Sequence, residues 1–189
     1  RQGGGLLCSY ETSLYDELGK IRKNFSLADV IGVDFKEKMG PFPARYSYHQ
    51  NARSPIVKGV RKIFPSPEHI LSLEPGADSK QIVHYGSRIN WAAGQKLECV
   101  LGAGEGDYPL VFTHRYGTGR VCYFAGNFEE RYWSKFLPEI RRLISNCVRW
   151  SGRDRLTVDV KSPGMVEVVL NSQPEKKRLI LHLLNYTGE

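Results

Sequence analysis

Apolar and polar positions divide the chain into an opening strand and turn, a proline-broken middle, a strand-rich centre, one amphipathic helix and a β tail. Gly3, Gly4 and Gly5 lead into Leu6, Leu7 and Cys8, and a polar run from Ser9 to Ser13 follows. That order predicts loop, buried strand, sharp turn and helix start. Thr12 or Ser13 is placed to cap a short helix through Leu14, Tyr15 and Leu18, closed by Gly19. Asn24 or Ser26 is placed to cap a second helix over residues 27–31, closed by Gly32. The two pieces read as a lid beside a crevice. Ligands of open α/β sheets gather at the carboxyl ends of strands, so residues 8–16 are expected to border that crevice.

Residues 36–67 carry Pro41, Pro43, Pro55, Pro65 and Pro67, which exclude long helices. Tyr46, Tyr48, His49, Asn51 and Arg53 cluster there on what reads as loop. Strands are predicted from Ile70 onward, over residues 82–85 and 96–101. A hairpin joins residues 110–114 to 120–124 through a turn whose glycines, Gly117 and Gly119, supply positive φ. Residues 102–106 are glycine-rich but fit neither the dinucleotide nor the P-loop pattern, and read as a connecting loop. Pro138 opens a helix with Ile140, Leu143, Ile144, Cys147 and Val148 on one face. Glu139, Arg141, Arg142, Ser145, Asn146 and Arg149 lie on a face expected to be solvated. Residues 151–154 mark a boundary. Beyond it strands are predicted over 156–160, 165–170 and 178–184, with 171–177 as a turn. The division expected is 1–151 and 152–189.

Length and composition add limits. With 189 residues and 41% hydrophobic content the chain holds an ordinary core. Its 27 basic and 20 acidic residues give +7, but they are scattered and no nucleic-acid motif accompanies them, so no nucleic-acid partner is expected. No run reaches the roughly 20 apolar residues that span a bilayer, and no membrane partner is expected. The four cysteines lie far apart with neither zinc nor redox spacing, and the pattern favours buried free thiols. Five histidines without ligand spacing give no metal site, and no cofactor is expected.

Cys8, Glu11 and His114 are the candidates for chemistry. Cys8, at a strand end before a turn, has the position of a nucleophile, with His114 or His84 as its base. It lacks the small-residue frame of a nucleophile elbow, and a packed thiol is the plainer reading. Glu11 borders the expected crevice. A glycosidic acid/base pair with Asp16 would need about 5 to 10 Å between carboxyls on opposite sides of a bond, which one turn rarely provides. Capping and dipole complementarity account for Asp16. Tyr10, Glu11, Thr12, Ser13, Tyr15 and Asp16 are the crevice or interface residues.

The run from Gly3 to Leu7, the block Tyr10 to Glu17 and the block Phe25 to Val33 together resemble the β-galactosidase trimerisation domain. Residues 116–121, 132–150 and 166–188 agree with it, and residues 36–106 are much less specific. The resemblance implies an α/β fold. It would be the later part of a flavodoxin-like, class I glutamine-amidotransferase-like domain, truncated at its N-terminus and followed by the start of a small β-sandwich domain. It further implies a lost catalytic triad and a segment that supports subunit association and walls the active site of a glycoside hydrolase. The partners implied are an N-terminal catalytic barrel of the same chain, further copies in a homo-oligomer, and the parent's carbohydrate substrate. On this reading Leu14→Asp or Leu27→Asp weakens assembly more than intrinsic chemistry. The alternatives are a cysteine-dependent amidase or amidotransferase using Cys8, and a carbohydrate-binding module using Tyr46, Tyr48, Trp91 and Trp133. The compartment is open.

Overall fold

The computed structural model describes residues 3–42, 45–86, 88–90, 98–100, 108–155, 157–161 and 166–186. It divides into two compact units, Arg1–Asp154 and Arg155–Glu189. In the first unit the order is β1 (Gly5–Ser9), α1 (Ala28–Ile31), β2 (Val33–Met39), β3 (Tyr46–Tyr48), a 3-10 turn (Pro55–Val57), β4 (Ile63–Pro65), β5 (Ile70–Pro75) and β6 (Lys80–Gly86). There follow β7 (Arg88–Asn90), β8 (Glu98–Val100), β9 (Pro109–Tyr116), β10 (Gly119–Phe124), α2 (Phe128–Lys135) and α3 (Pro138–Ser151). Six strands form one sheet in the order β1-β10-β9-β6-β3-β4. Only β1 and β10 run parallel in it, and every other pairing is antiparallel. The fold is mixed α/β.

Side-chain alternation gives the sheet two apolar faces. One carries Val83, Tyr85, Val111, Cys122 and Phe124, packed on Ile140, Leu143 and Cys147 of α3 and on Ile56 of the 3-10 turn. The other carries Cys8, Phe112, Val121 and Tyr123, covered by Leu14, Phe25, Ile31 of α1, Val33 of β2 and Leu71 of β5. β2 and β5 pair with each other as a separate antiparallel ribbon.

Several expectations change. No helix forms over residues 14–18. The Asp16 carboxylate takes the backbone N–H groups of Leu18 and Lys20, Ser13 is left-handed at φ 66°, and Tyr15 bridges Ile21. A short side chain that binds its own backbone competes with the helix it was expected to start. Thr12 likewise caps no helix, since its hydroxyl donates to the Ser9 carbonyl. The second helix is α1, closed by Gly32 in the left-handed region, but neither Asn24 nor Ser26 caps it. The Asn24 side-chain oxygen accepts instead from the N–H groups of Phe25 and Phe35.

Residues 36–67 hold most of β2 together with β3 and β4, so Tyr46 and Tyr48 lie on a strand and not on a loop, while most of the described stretch is irregular as expected. In the β9–β10 turn only Gly117 has positive φ, and Gly119 already pairs with Tyr116. The polar face of α3 is partly engaged. The Asn146 amide donates to the carbonyls of Ile56 and Lys58 at 3.0 and 2.9 Å, and Arg142 donates to the Gly59 carbonyl at 2.6 Å. Val148, placed on the apolar face by spacing, is exposed, whereas Ser151 is buried.

The second unit holds the antiparallel hairpin β11 (Val166–Gln173) and β12 (Arg178–Asn185). Its turn is shorter than expected, because pairing continues to Gln173 and Arg178 around a 3-10 turn at Pro174–Lys176. Residues 157–160 are not strand, and Leu156, Met165 and residues 102–106 lie outside the described residues.

Candidate functional site at the end of the first strand

β1 ends at Ser9, and the chain turns at once. Tyr10 is left-handed at φ 47°, a conformation costing a non-glycine residue about 1–2 kcal/mol, and two contacts hold it there. Its N–H donates to the Phe124 carbonyl at 2.6 Å, and its carbonyl accepts from the Tyr123 hydroxyl at 2.5 Å. The turn continues with Thr12 N–H donating to Ser9 O and Leu14 N–H to Glu11 O. Leu14 is fully buried beneath it, so the polar residues around it are carried on an apolar anchor.

Lys38 of β2 reaches this turn. Its ammonium lies 2.5 Å from the Glu11 carboxylate, donates to the Tyr15 hydroxyl and sits 4.8 Å from the centre of the Tyr15 ring. The hydrogen bond to Glu11, then that to Tyr15, pushes the Lys38 ammonium above its usual pKa. The Tyr10 phenol is raised as well, by burial first and the Glu11 charge second. Carboxylate, ammonium and two phenols thus form one half-exposed cluster of donors and acceptors. Asp16 does not join it, because its carboxylate is occupied by Leu18 and Lys20. Glu11 therefore has an ammonium beside it and no second carboxylate from this turn.

Cys8 and His114 are not brought together. Cys8 pairs with Tyr123 and Tyr123 with Phe112, so His114 lies two strands across and two residues along. Standard spacings put their backbones about 12 Å apart. The His114 ring packs against Gly32 instead. Cys8 is 8% exposed, and its thiol points to the Cys122 carbonyl at 3.9 Å. Burial, then the neighbouring Cys122, pushes its pKa up to about 12. That arrangement keeps the sulfur protonated at neutral pH, whereas a nucleophile needs thiolate.

Alkylation by iodoacetamide at pH 8 is therefore expected to be slow at Cys8 in the folded protein and fast in urea, read by peptide mass spectrometry. The folded thiol keeps its proton up to about 12, while its ordinary value is 9.0. The unfolded chain thus loses that proton first. The contribution to stability is whole below pH 9.0 and declines as pH rises toward 12.

The aromatic candidates sit on separate elements. Tyr46 and Tyr48 lie on β3, Tyr48 stacking on His84 at 5.5 Å, while Trp133 stands 76% exposed on α2 beside Phe136. Trp91 lies outside the described residues, and His49 is buried with Nε2 near the Val60 carbonyl. The residue that spacing missed is Lys38. Its partner Glu11 is 27 positions away, and only recognition of β2 would have placed a lysine there.

No family model matches the sequence, and no curated protein matches it. Solved structures do. The α-L-fucosidase isoenzyme 2 of Paenibacillus thiaminolyticus aligns over 97% of this chain and 26% of its own, with TM-score 0.65 and 18% identity. The β-galactosidase of Bacillus circulans sp. alkalophilus aligns over 89% of this chain and 21% of its own, with TM-score 0.60 and 15% identity. A ThuA-like protein of Bacteroides uniformis aligns over 79% and 58%, with TM-score 0.53 and 19% identity. The chain spans about a quarter or less of the two glycoside hydrolase chains, and what it shares with all three is a fold.

Proposed function

We propose that this chain is a non-catalytic segment of a multidomain glycoside hydrolase, with a flavodoxin-like, amidotransferase-type fold. Its work is to support subunit association and to wall the active site of a catalytic barrel carried by the parent protein. The β-galactosidase and fucosidase likenesses support a glycosidase-related parent, and the sugar and linkage stay open. The observation that carries the reading is alignment of nearly the whole chain to a minor part of glycoside hydrolase chains. The buried, protonated Cys8 agrees with a wall and disfavours an amidase using that sulfur.

The cluster of Glu11, Lys38, Tyr10 and Tyr15 suits a wall, because fixed hydrogen-bond donors and acceptors orient a polyol without reacting with it. Leu18 and Leu27, exposed on the segment that follows the turn, suit the association role. Cys8→Ser and Leu27→Asp in the complete parent test both parts. Turnover is expected to survive Cys8→Ser, and Leu27→Asp is expected to lower the mass seen by light scattering. Abolished turnover in the first, or unchanged mass with lost turnover in the second, counts against the reading.

A further inference from the structure

A cavity of about 630 Å³ lies away from the Tyr10 turn, where β6 begins and β9 ends. Its walls carry Lys80 from β6, Arg115 from β9, Arg53 from the loop before the 3-10 turn, and Trp150 from the last turn of α3. The sheet register explains the convergence. Lys80 pairs with Thr113, so Lys80, Thr113 and Arg115 share a face, with Lys80 and Arg115 as diagonal neighbours about 7–8 Å apart. Arg53 is positioned by a turn in which its N–H donates to the Asn51 side chain at 3.1 Å. The Trp150 indole is fixed by the Arg120 guanidinium, whose carbon lies 5.2 Å from its ring centre and which donates to the Trp150 carbonyl.

Among the described residues, none of Arg53, Lys80 and Arg115 is within ion-pair distance of a carboxylate. Asp78 is the one acid on the wall, against three cations. Clefts lined by one sign of charge focus the field and concentrate counter-ions. The volume falls in the range of small-molecule sites, about 300–1,000 Å³. Nucleic acid would need an extended basic track, which a single concavity does not supply.

The geometry points to a binding site for a small organic anion, its phosphate or carboxylate held by Lys80, Arg115 and Arg53 and its body lying against Trp150. This site is independent of the wall reading, since it uses no residue of the Tyr10 turn. Glucose 6-phosphate and glucuronate distinguish the two anionic groups, and glucose is the neutral control. Calorimetric titration at low ionic strength is expected to give saturable binding of at least one anion and none of glucose.

Losing a charge-assisted contact is expected to weaken the bound anion about tenfold in Arg115→Gln and in Lys80→Gln. Both side chains are exposed, so melting of the free protein should not change. Asp78→Asn is expected to tighten binding, which no loss of folding can imitate. Failure of both anions to bind, equal binding of glucose, unweakened binding in the two cation variants, or weaker binding in Asp78→Asn overturns the proposal.

Discussion

Leu14→Asp is expected to cost the Arg1–Asp154 unit about 4 kcal/mol or more, shown as a large fall in the urea midpoint. Leu14 is fully buried in the cluster that includes Phe25, Ile31 and Tyr123, and its backbone is tied to Glu11 and Arg22. The substitution removes a core side chain and puts in its place a carboxylate with no partner designed for it. Domains are stable by about 5–15 kcal/mol, so this one change removes a large share. Leu14→Ala separates the terms, because the cavity alone accounts for about 2–5 kcal/mol.

The same fact corrects the expectation that Leu14→Asp reports on assembly. A variant that unfolds its own turn loses assembly indirectly. Leu18 at 88% exposed and Leu27 at 37% are the positions where a charge can disturb a partner while the fold survives. An unchanged urea midpoint for Leu14→Asp would mean that the turn is not packed as described.

Elements whose signal is local were legible in the sequence. α3 shows three- and four-residue spacing after a proline, and β9–β10 shows two apolar runs around Gly117. β1 is a short apolar run between glycines and a polar turn. Between β1 and β2 the sharp turn and α1 with its Gly32 were legible, but the path of residues 13–26 was not, because what fixes it is remote. Ser26 N–H donates to the Ser13 carbonyl, Leu27 N–H to the Ser13 hydroxyl, and Arg22 N–H to the Leu14 carbonyl. A tyrosine at φ 47° gives no turn signature, since its conformation is imposed by Phe124 and Tyr123.

β2 is obscured for a different reason. Its pairing partner β5 is distant in sequence, a bulge between Phe35 and Glu37 breaks its alternation, and its outer positions are charged. Three of the four residues of the candidate cluster were therefore readable. Tyr10, Glu11 and Tyr15 belong to the turn, but Lys38 arrives on a strand that only tertiary pairing defines.

Gly32→Ala is the second large effect, at about 2–4 kcal/mol, and its cause can be divided experimentally. Gly32 has φ 81°, closes α1 through its N–H to the Ala28 carbonyl, and accepts from Gly76 N–H at 2.9 Å. A β-carbon there would stand 2.5 Å from Cγ and 2.6 Å from Nδ1 of His114, so the ring must move. The left-handed backbone alone costs about 1–2 kcal/mol, and crowding supplies the rest. Gly19, with φ 75° and open space around it, is the control that carries only the first part.

In a His114→Ala background the ring is gone and only the β-carbon of residue 114, 3.0 Å from the new one, still crowds it, so the cost of Gly32→Ala should fall toward that of Gly19→Ala. Equal cost in both backgrounds would remove His114 from the explanation. Because Gly32 immediately precedes β2, strain that moves it is also expected to shift Lys38 away from Glu11. A changed NMR chemical shift of the Lys38 side chain in Gly32→Ala at neutral pH would register that shift while the protein is still folded.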